Sequence, residues 1–148
     1  MTRYCDECGY YAELMKYCAW CGAKMKGRGS DVGDISKNFS RYEFACGCGC
    51  GFEAVDIELI KVNEEMRGDF GGKSVNIHSG CRCPHWNGHE GGTKGSRHCF
   101  GIAEDFHIEG VSTQEVYDYL DAKYPDRYGI GLYDSWVHLD VRKVKARW

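Results

Sequence analysis

Two histidines and one aspartate in the second half of the chain form the pattern that most constrains its fold. His98 and Asp105 lie close together in the sequence, and His138 follows in the strand-like segment 136–142. Two imidazoles and one carboxylate are the ligand set of an open catalytic zinc site, which leaves a fourth position for water. A structural zinc site would usually close its coordination with a fourth protein group, often a thiolate. The fold is therefore expected to bring these three side chains together.

Periodicity and capping signals predict two helices in this part of the chain. Apolar residues recur at spacings of three or four over Leu59–Phe70, which predicts a helix that begins after Asp56. Ser112 and Glu115 form a capping box, which predicts a second helix that ends just before Pro125. Together with the strands described next, they indicate an α+β fold.

Four short segments read as β-strands: 74–77, 103–108, 128–133 and 136–141. Segments 128–133 and 136–141 are expected to form a hairpin. Segment 103–108 contains Asp105. Residues two apart in a strand face the same side, so Asp140 is expected to share the face that His138 uses.

The candidate ligands also lie in motifs that resemble a known family. Residues 96–105 read Ser-x-His-x-x-Gly-x-Ala-x-Asp, residues 138–140 read His-x-Asp, and the chain ends in Ala146-Arg147-Trp148. These motifs resemble those of the zinc D-alanyl-D-alanine metallopeptidases, small enzymes that cut peptidoglycan stem peptides and share a fold with the Hedgehog signalling domain. The resemblance covers residues 38–148 and is closest to the short phage and bacterial members. It implies a small antiparallel sheet with flanking helices.

The resemblance also implies roles for two residues outside the ligand set. Arg82 ends the sequence Ser79-Gly80-Cys81-Arg82, which resembles the family's Ser-Gly-x-Arg turn, where the arginine contacts substrate. Such a cation beside the scissile carbonyl would stabilise the oxyanion that develops there. Ser96 matches the family serine that precedes the first ligand and helps to hold substrate.

The residue that takes a proton from the attacking water is less clearly marked. Several relatives carry an acid three residues before the last zinc histidine, and here that position is Ser135. Asp140 is the preferred candidate because the His-x-Asp pattern matches the shorter relatives, and Asp134 is the alternative. Asp140 has a second interpretation, as a carboxylate that only orients a ligating histidine.

Four cysteines near the N-terminus predict a separate metal-binding module. They form two Cys-x-x-Cys-Gly knuckles, made by Cys5, Cys8, Cys18 and Cys21. Four thiolates in this spacing predict a zinc ribbon over residues 1–26, with rubredoxin-like iron as the minor alternative. So short a segment would depend on the metal for most of its folding free energy. Residues 27–37 then read as a flexible linker to a metallopeptidase-like domain over 38–148.

A second group of cysteines lies within the main domain. Its members are Cys46, Cys48, Cys50, Cys81 and Cys83. Their thiols allow three interpretations: a second structural zinc site, disulfides formed outside the cell, or free cysteines. The group matters for function because an anchor at Cys81 or Cys83 would fix the loop that carries Arg82.

Composition limits the partners and the compartment. The net charge of −3 implies no polyanionic partner, so nucleic acid binding is not expected. No segment approaches the roughly 18 apolar residues of a membrane helix. The N-terminus lacks an apolar signal sequence, which predicts a protein that is cytoplasmic when synthesised. The oligomeric state is not indicated by the sequence.

These features together predict an enzyme. The expected activity is a zinc-dependent peptidoglycan peptidase of the D-Ala-D-Ala carboxypeptidase or endolysin type, which cleaves a stem-peptide bond next to a D-amino acid. Without a signal peptide, a lytic enzyme of this kind would act on the cell wall after release. The alternative is a catalytically inactive zinc-binding recognition module, since the Hedgehog domain uses the same fold for recognition.

Overall fold

The computed structural model describes residues 33–148 and three short strands of the N-terminal segment. These strands are β1 (Thr2–Tyr4), β2 (Tyr11–Glu13) and β3 (Lys26–Gly27), which form an antiparallel sheet in the order β2-β1-β3. The four cysteines of the expected zinc ribbon lie outside the described residues. The ribbon and the division of the chain at residues 26 and 37 therefore stay predictions.

A five-stranded sheet forms the centre of the main part of the chain. Its strands are β4 (Val75–Ser79), β5 (Ala103–Ile108), β6 (Gly129–Leu132), β7 (Val137–Asp140) and β8 (Ala146–Arg147). They are ordered β4-β5-β7-β6-β8, and all neighbours are antiparallel except β6 and β8, which are parallel. The predicted α+β class is confirmed, and the sheet is mixed because of this one parallel pair.

Two longer helices pack against the sheet, and both begin as the sequence predicts. Helix α1 (Ile57–Asp69) starts after Asp56, whose side chain accepts a hydrogen bond from the backbone N–H of Glu58. Helix α3 (Thr113–Lys123) starts after Ser112, whose hydroxyl accepts from the backbone N–H of Glu115. Each cap satisfies a backbone donor that has no partner within the helix.

The hydrophobic core lies between the helices and the sheet. The apolar stripe of α1 is buried there, together with inward-facing residues of α3 and of β4 to β7. Its fully buried side chains include Phe39, Phe44, Leu59, Met66, Phe106, Leu120, Ile130 and Leu139. This core does not use the candidate ligands, so the fold has a source of stability that is independent of a metal there.

One polar pair interrupts this core. Glu104 on β5 and Asn63 on α1 are both fully buried, and Nδ2 of Asn63 donates to Oε2 of Glu104 at 2.8 Å. Burial raises the pKa of Glu104 to about 8. The carboxyl group is therefore mainly protonated at neutral pH.

The structure also contains short elements that the sequence did not indicate. Helix α2 (Pro84–His89) follows Cys83, and two 3₁₀ helices span Arg41–Phe44 and Arg97–Phe100. The last of these carries His98, so one candidate ligand lies on a short helix. Among the described residues, no helix is long and apolar enough to cross a membrane.

Candidate metal centre

The register of the sheet places two candidate ligands directly opposite each other. Asp105 on β5 pairs with His138 on β7, and Ser79 on β4 pairs with Asp105 from the other side. The three residues thus form a row across neighbouring strands. Directly opposed residues in a sheet have side chains close enough to touch, so strand pairing alone brings the carboxylate to the imidazole.

His98 completes the group from outside the sheet. Its Nε2 lies 3.4 Å from Oδ2 of Asp105, and Nδ1 of His138 lies 2.8 Å from Oδ1 of the same carboxylate. One donor atom from each of the three residues lies within 4.8 Å of the others. The structure therefore brings together all three residues that the sequence motif singled out.

The ring of His98 is held in one orientation by the backbone. Its Nδ1 donates to the carbonyl oxygen of Gly80 at 2.6 Å, which leaves Nε2 to face Asp105. Gly80 itself has no space for a side chain, because a Cβ there would overlap the backbone of Phe44. Gly101, which follows the short helix, has a φ of +68° and closely approaches Ala54. Both glycines allow the tight packing that places His98.

The ring of His138 is oriented by a carboxylate instead. Its Nε2 lies 3.1 Å from Oδ2 of Asp140, on the side of the ring that faces away from Asp105. Asp140 is fully buried and accepts two hydrogen bonds of 2.6 Å from Nε and Nη2 of Arg142. Gly129 leaves room for this pair, since a Cβ there would overlap the Asp140 carboxylate. A histidine held in this way by a buried carboxylate is typical of metal ligands.

Electrostatics in the centre favour ionised carboxylates. Burial alone would raise the pKa of Asp105, but hydrogen bonding to His138 and His98 outweighs burial and holds that pKa well below its usual range. Burial also opposes ionisation of Asp140, whose pKa is nevertheless lowered by His138 and Arg142. Burial would lower the pKa of His138, but the carboxylates at its two ring nitrogens raise it. Both carboxylates are therefore ionised, and their negative charge would stabilise a cation bound in the centre.

The donor set fits a zinc ion. Nε2 of His98, Nδ1 of His138 and a carboxylate oxygen of Asp105 converge, while the second nitrogen of each imidazole has a protein partner. Three nitrogen and oxygen donors with orienting partners are typical of open, catalytic zinc sites, whereas structural zinc sites have four protein ligands.

The centre opens into a cleft of about 850 Å³. Arg82 lines this cleft beside the centre, where its Nη2 lies 2.5 Å from Oδ2 of Asp105 and its Nε donates to the Ser79 hydroxyl at 2.8 Å. Ser96 lines the cleft as well, next to the short helix that carries His98. The two residues expected to contact substrate therefore lie at one cleft together with the candidate ligands.

The acidic residues considered as proton acceptors have different surroundings. Asp134 is exposed in the turn between β6 and β7, and it does not line the cleft, whereas Ser135 does. Among the described residues that line the cleft, the carboxylates are Asp105 and Glu90. Asp140 is enclosed between His138 and Arg142, an arrangement that favours its interpretation as an orienting residue.

Sequence reasoning missed several residues of this cleft. Arg142 received no role, although the spacing of His138, Asp140 and Arg142 would place all three on one face if the strand continued. Trp148 also borders the cleft, and its ring packs against the His138 ring with centroids 5.2 Å apart. Gly131 makes room for this indole. The non-local pairing of β8 with β6 places Trp148 there, and the sequence motif that ends in Trp148 gives no indication of this position.

The fold and the centre define a class: a small α+β protein with a candidate His/Asp/His metal centre that lines a cleft. Residues 37–140 match the model of the family described as Peptidase M15. The chain belongs to this family of zinc-dependent metallopeptidases, which confirms the family resemblance of the sequence at this general level. No match to a curated protein or to a solved structure was found.

Proposed function

We propose that the chain is a zinc-dependent peptidase that cleaves a peptidoglycan stem peptide next to a D-amino acid. The reaction would be of the D-Ala-D-Ala carboxypeptidase or endolysin type. The observation that carries the proposal is the convergence of His98, Asp105 and His138 beside Arg82 at an open cleft. The family match supports peptide hydrolysis, and the motifs around the centre support the peptidoglycan substrate.

In this proposal, His98, Asp105 and His138 hold the zinc ion. A bound zinc would act as a Lewis acid that polarises the scissile carbonyl and makes water more acidic. The protein contributes the fixed orientation of its ligands. The Gly80 carbonyl fixes His98, and Asp140 fixes His138, so that little reorganisation is needed when substrate binds.

Arg82 supplies the positive charge that faces the scissile carbonyl of the substrate. Its guanidinium group is anchored to Ser79 through Nε, while Nη2 reaches the carboxylate of Asp105 at the edge of the cleft. A guanidinium group held in this position can donate to a carbonyl oxygen on which negative charge develops during hydrolysis. Ser96 would hold the peptide on the same side of the cleft.

Asp140 is proposed to position His138 and not to accept a proton from water. A general base must lie within hydrogen-bonding reach of the proton that it removes, directly or through one water molecule. Both carboxylate oxygens of Asp140 already accept hydrogen bonds from Arg142, and the side chain is fully buried. Asp140 would therefore contribute to catalysis indirectly, by orienting the metal ligand His138.

The enclosure of Asp140 by its partners favours one alternative function. Ser135 occupies the position where several relatives carry an acid, and Asp140 is enclosed by its partners. A cleft without a working proton acceptor would bind a stem peptide without cleaving it, as an inactive recognition module. Binding of a muropeptide with no product formed, at full zinc loading, would identify this alternative.

Defined muropeptides provide the direct test. The full-length protein is incubated with pentapeptide, tetrapeptide and cross-linked muropeptides, with and without chelator, and the products are identified by mass. Release of terminal D-alanine indicates a carboxypeptidase, whereas cleavage inside the stem or cross-link indicates an endopeptidase. The proposal predicts chelator-sensitive cleavage of at least one of them. Cleavage that a zinc-free protein retains would contradict it.

A further inference from the structure

Four cysteines that do not line the cleft form a second cluster of donor atoms. Cys46, Cys48 and Cys50 lie on the loop after the first 3₁₀ helix, and Cys83 lies immediately before α2. One sulfur from each residue lies within 4.8 Å of the other three. Two distant parts of the sequence thus contribute to one compact group of thiols.

The distances between the sulfurs fit four ligands of one shared metal ion better than they fit a disulfide bond. Sγ of Cys46 lies 3.4 Å from Sγ of Cys48, which lies 3.7 Å from Sγ of Cys83. Sulfurs bound to one tetrahedral zinc at about 2.3 Å are roughly 3.8 Å apart. Those of a disulfide are about 2.05 Å apart. The cluster is already close to the dimensions of a Cys₄ zinc site.

The surrounding backbone also favours thiolates. The N–H of Cys83 donates to Sγ of Cys46 at 3.3 Å, and the N–H of Trp86 donates to Sγ of Cys83 at 3.4 Å. Hydrogen bonds from N–H groups stabilise a negatively charged sulfur more than a neutral thiol. Gly49 and Gly51 have φ angles of +75° and +83°, which lets the loop turn tightly on both sides of Cys50.

The fifth cysteine of this region is in a different environment. Cys81 is buried and its thiol donates to the carbonyl oxygen of Phe52 at 3.1 Å, outside the cluster of four sulfurs. Cys81 is therefore not one of the candidate ligands of an ion held by the other four cysteines.

We propose that Cys46, Cys48, Cys50 and Cys83 bind one zinc ion in a closed structural site. Four thiolates complete a tetrahedral coordination shell and leave no position for water or substrate, so this site would have no catalytic role. It is distinct from the centre formed by His98, Asp105 and His138. The proposal does not depend on the proposed peptidase activity, because an inactive protein would bind the same ion.

The position of the site suggests what the zinc ion stabilises. Cys83 directly follows Arg82, and the backbone N–H of Arg82 donates to the carbonyl oxygen of His98 at 3.0 Å. The loop that carries the other three cysteines contains no helix or strand of its own. Zinc would join this loop to the turn that holds Arg82, and would thereby fix one wall of the cleft.

Metal content of the full-length protein tests the proposal. Zinc per chain is measured by elemental analysis for the wild type and for Cys50→Ser, Cys83→Ser and Cys81→Ser, each purified under reducing conditions. Cys50→Ser and Cys83→Ser should each contain one zinc fewer than the wild type. Cys81→Ser is the matched control, since it lies in the same turn but outside the cluster, and it should keep the full content. His98→Ala should lose a different zinc, so combining it with Cys50→Ser should remove two.

Each other result would overturn the proposal. Equal zinc content in Cys50→Ser, Cys81→Ser and the wild type would show that the cluster binds no metal. Wild-type protein purified without reductant is also measured by intact mass, and a mass lower by two hydrogens per pair of these cysteines would assign them to disulfides. Iron in place of zinc would refute the assigned metal. Circular dichroism verifies folding of each variant, and Cys50→Ser, on the exposed loop, still decides the question if Cys83→Ser unfolds.

Discussion

His138 and Asp140 lie on the same face of strand β7, with Nε2 of the imidazole 3.1 Å from Oδ2 of the carboxylate. The opposite ring nitrogen faces Asp105 at 2.8 Å. One side of His138 is therefore committed to an orienting partner and the other to the candidate metal centre. This division of the two nitrogens determines what substitutions of Asp140 should do.

Asp140→Asn should weaken zinc binding by about 10–100-fold, because an amide orients the His138 ring less well and makes it a weaker ligand. At saturating zinc, the rate of peptide hydrolysis should return close to the wild-type rate. Zinc affinity is measured by competition with a chromogenic chelator, and the rate is measured over a range of zinc concentrations. Asp134→Asn is the control, since Asp134 is exposed and outside the cleft, and it should change neither quantity. A loss of kcat in Asp140→Asn that excess zinc does not restore would instead assign the proton-acceptor role to Asp140.

Arg82→Ala should lower kcat by roughly 10²–10³, the scale expected for the loss of one donor to the oxyanion. Arg82→Lys should recover only part of the rate, because an ammonium group cannot contact Ser79 and Asp105 with the geometry of a guanidinium fork. Zinc content is measured in parallel, since Arg82 also contacts the ligand Asp105. If the activity loss followed zinc loss alone and disappeared at saturating zinc, Arg82 would be a support for Asp105 and not a substrate contact.

His98→Ala should abolish hydrolysis while the fold is retained. The hydrophobic core between the helices and the sheet does not include His98, so the secondary structure should persist without the metal. His85→Ala serves as the control because His85 is exposed on α2, and it should leave hydrolysis unchanged. Activity is followed with muropeptides and folding with far-ultraviolet circular dichroism. Unfolding of His98→Ala would show that the centre is structural.

The parts of the fold that the sequence predicts are those with local signals. The strand-like segment 103–108 coincides with β5, and the capping box at Ser112 gives the start of α3. The motif residues His98, Asp105 and His138 do converge. Their convergence was inferred from ligand chemistry and family resemblance, because no local pattern fixes which strands are neighbours.

The parts that the sequence does not predict depend on contacts between distant segments. The parallel pairing of β8 with β6 brings Trp148 to the cleft, and nothing in the last residues of the chain indicates that partner. The separation of Cys81 from Cys83 has the same origin. Residues two apart in the sequence face different partners, Phe52 and Cys48, only because of how the two loops pack.

The buried pair of Asn63 and Glu104 provides a test of the core itself. Asn63→Leu should lower the free energy of unfolding by about 1–3 kcal/mol, because it leaves a buried carboxyl group without its donor. Glu104→Leu should have a similar effect by leaving the amide unpaired. The double variant should lose less than the sum of the two, with a coupling of roughly 0.5–3 kcal/mol, since no polar group remains unpaired. Lys61→Leu, on the exposed face of α1, is the control and should change the free energy by less than about 0.5 kcal/mol. The measurement is urea unfolding at constant zinc concentration, and strictly additive effects would show that the hydrogen bond contributes nothing to the stability of the core.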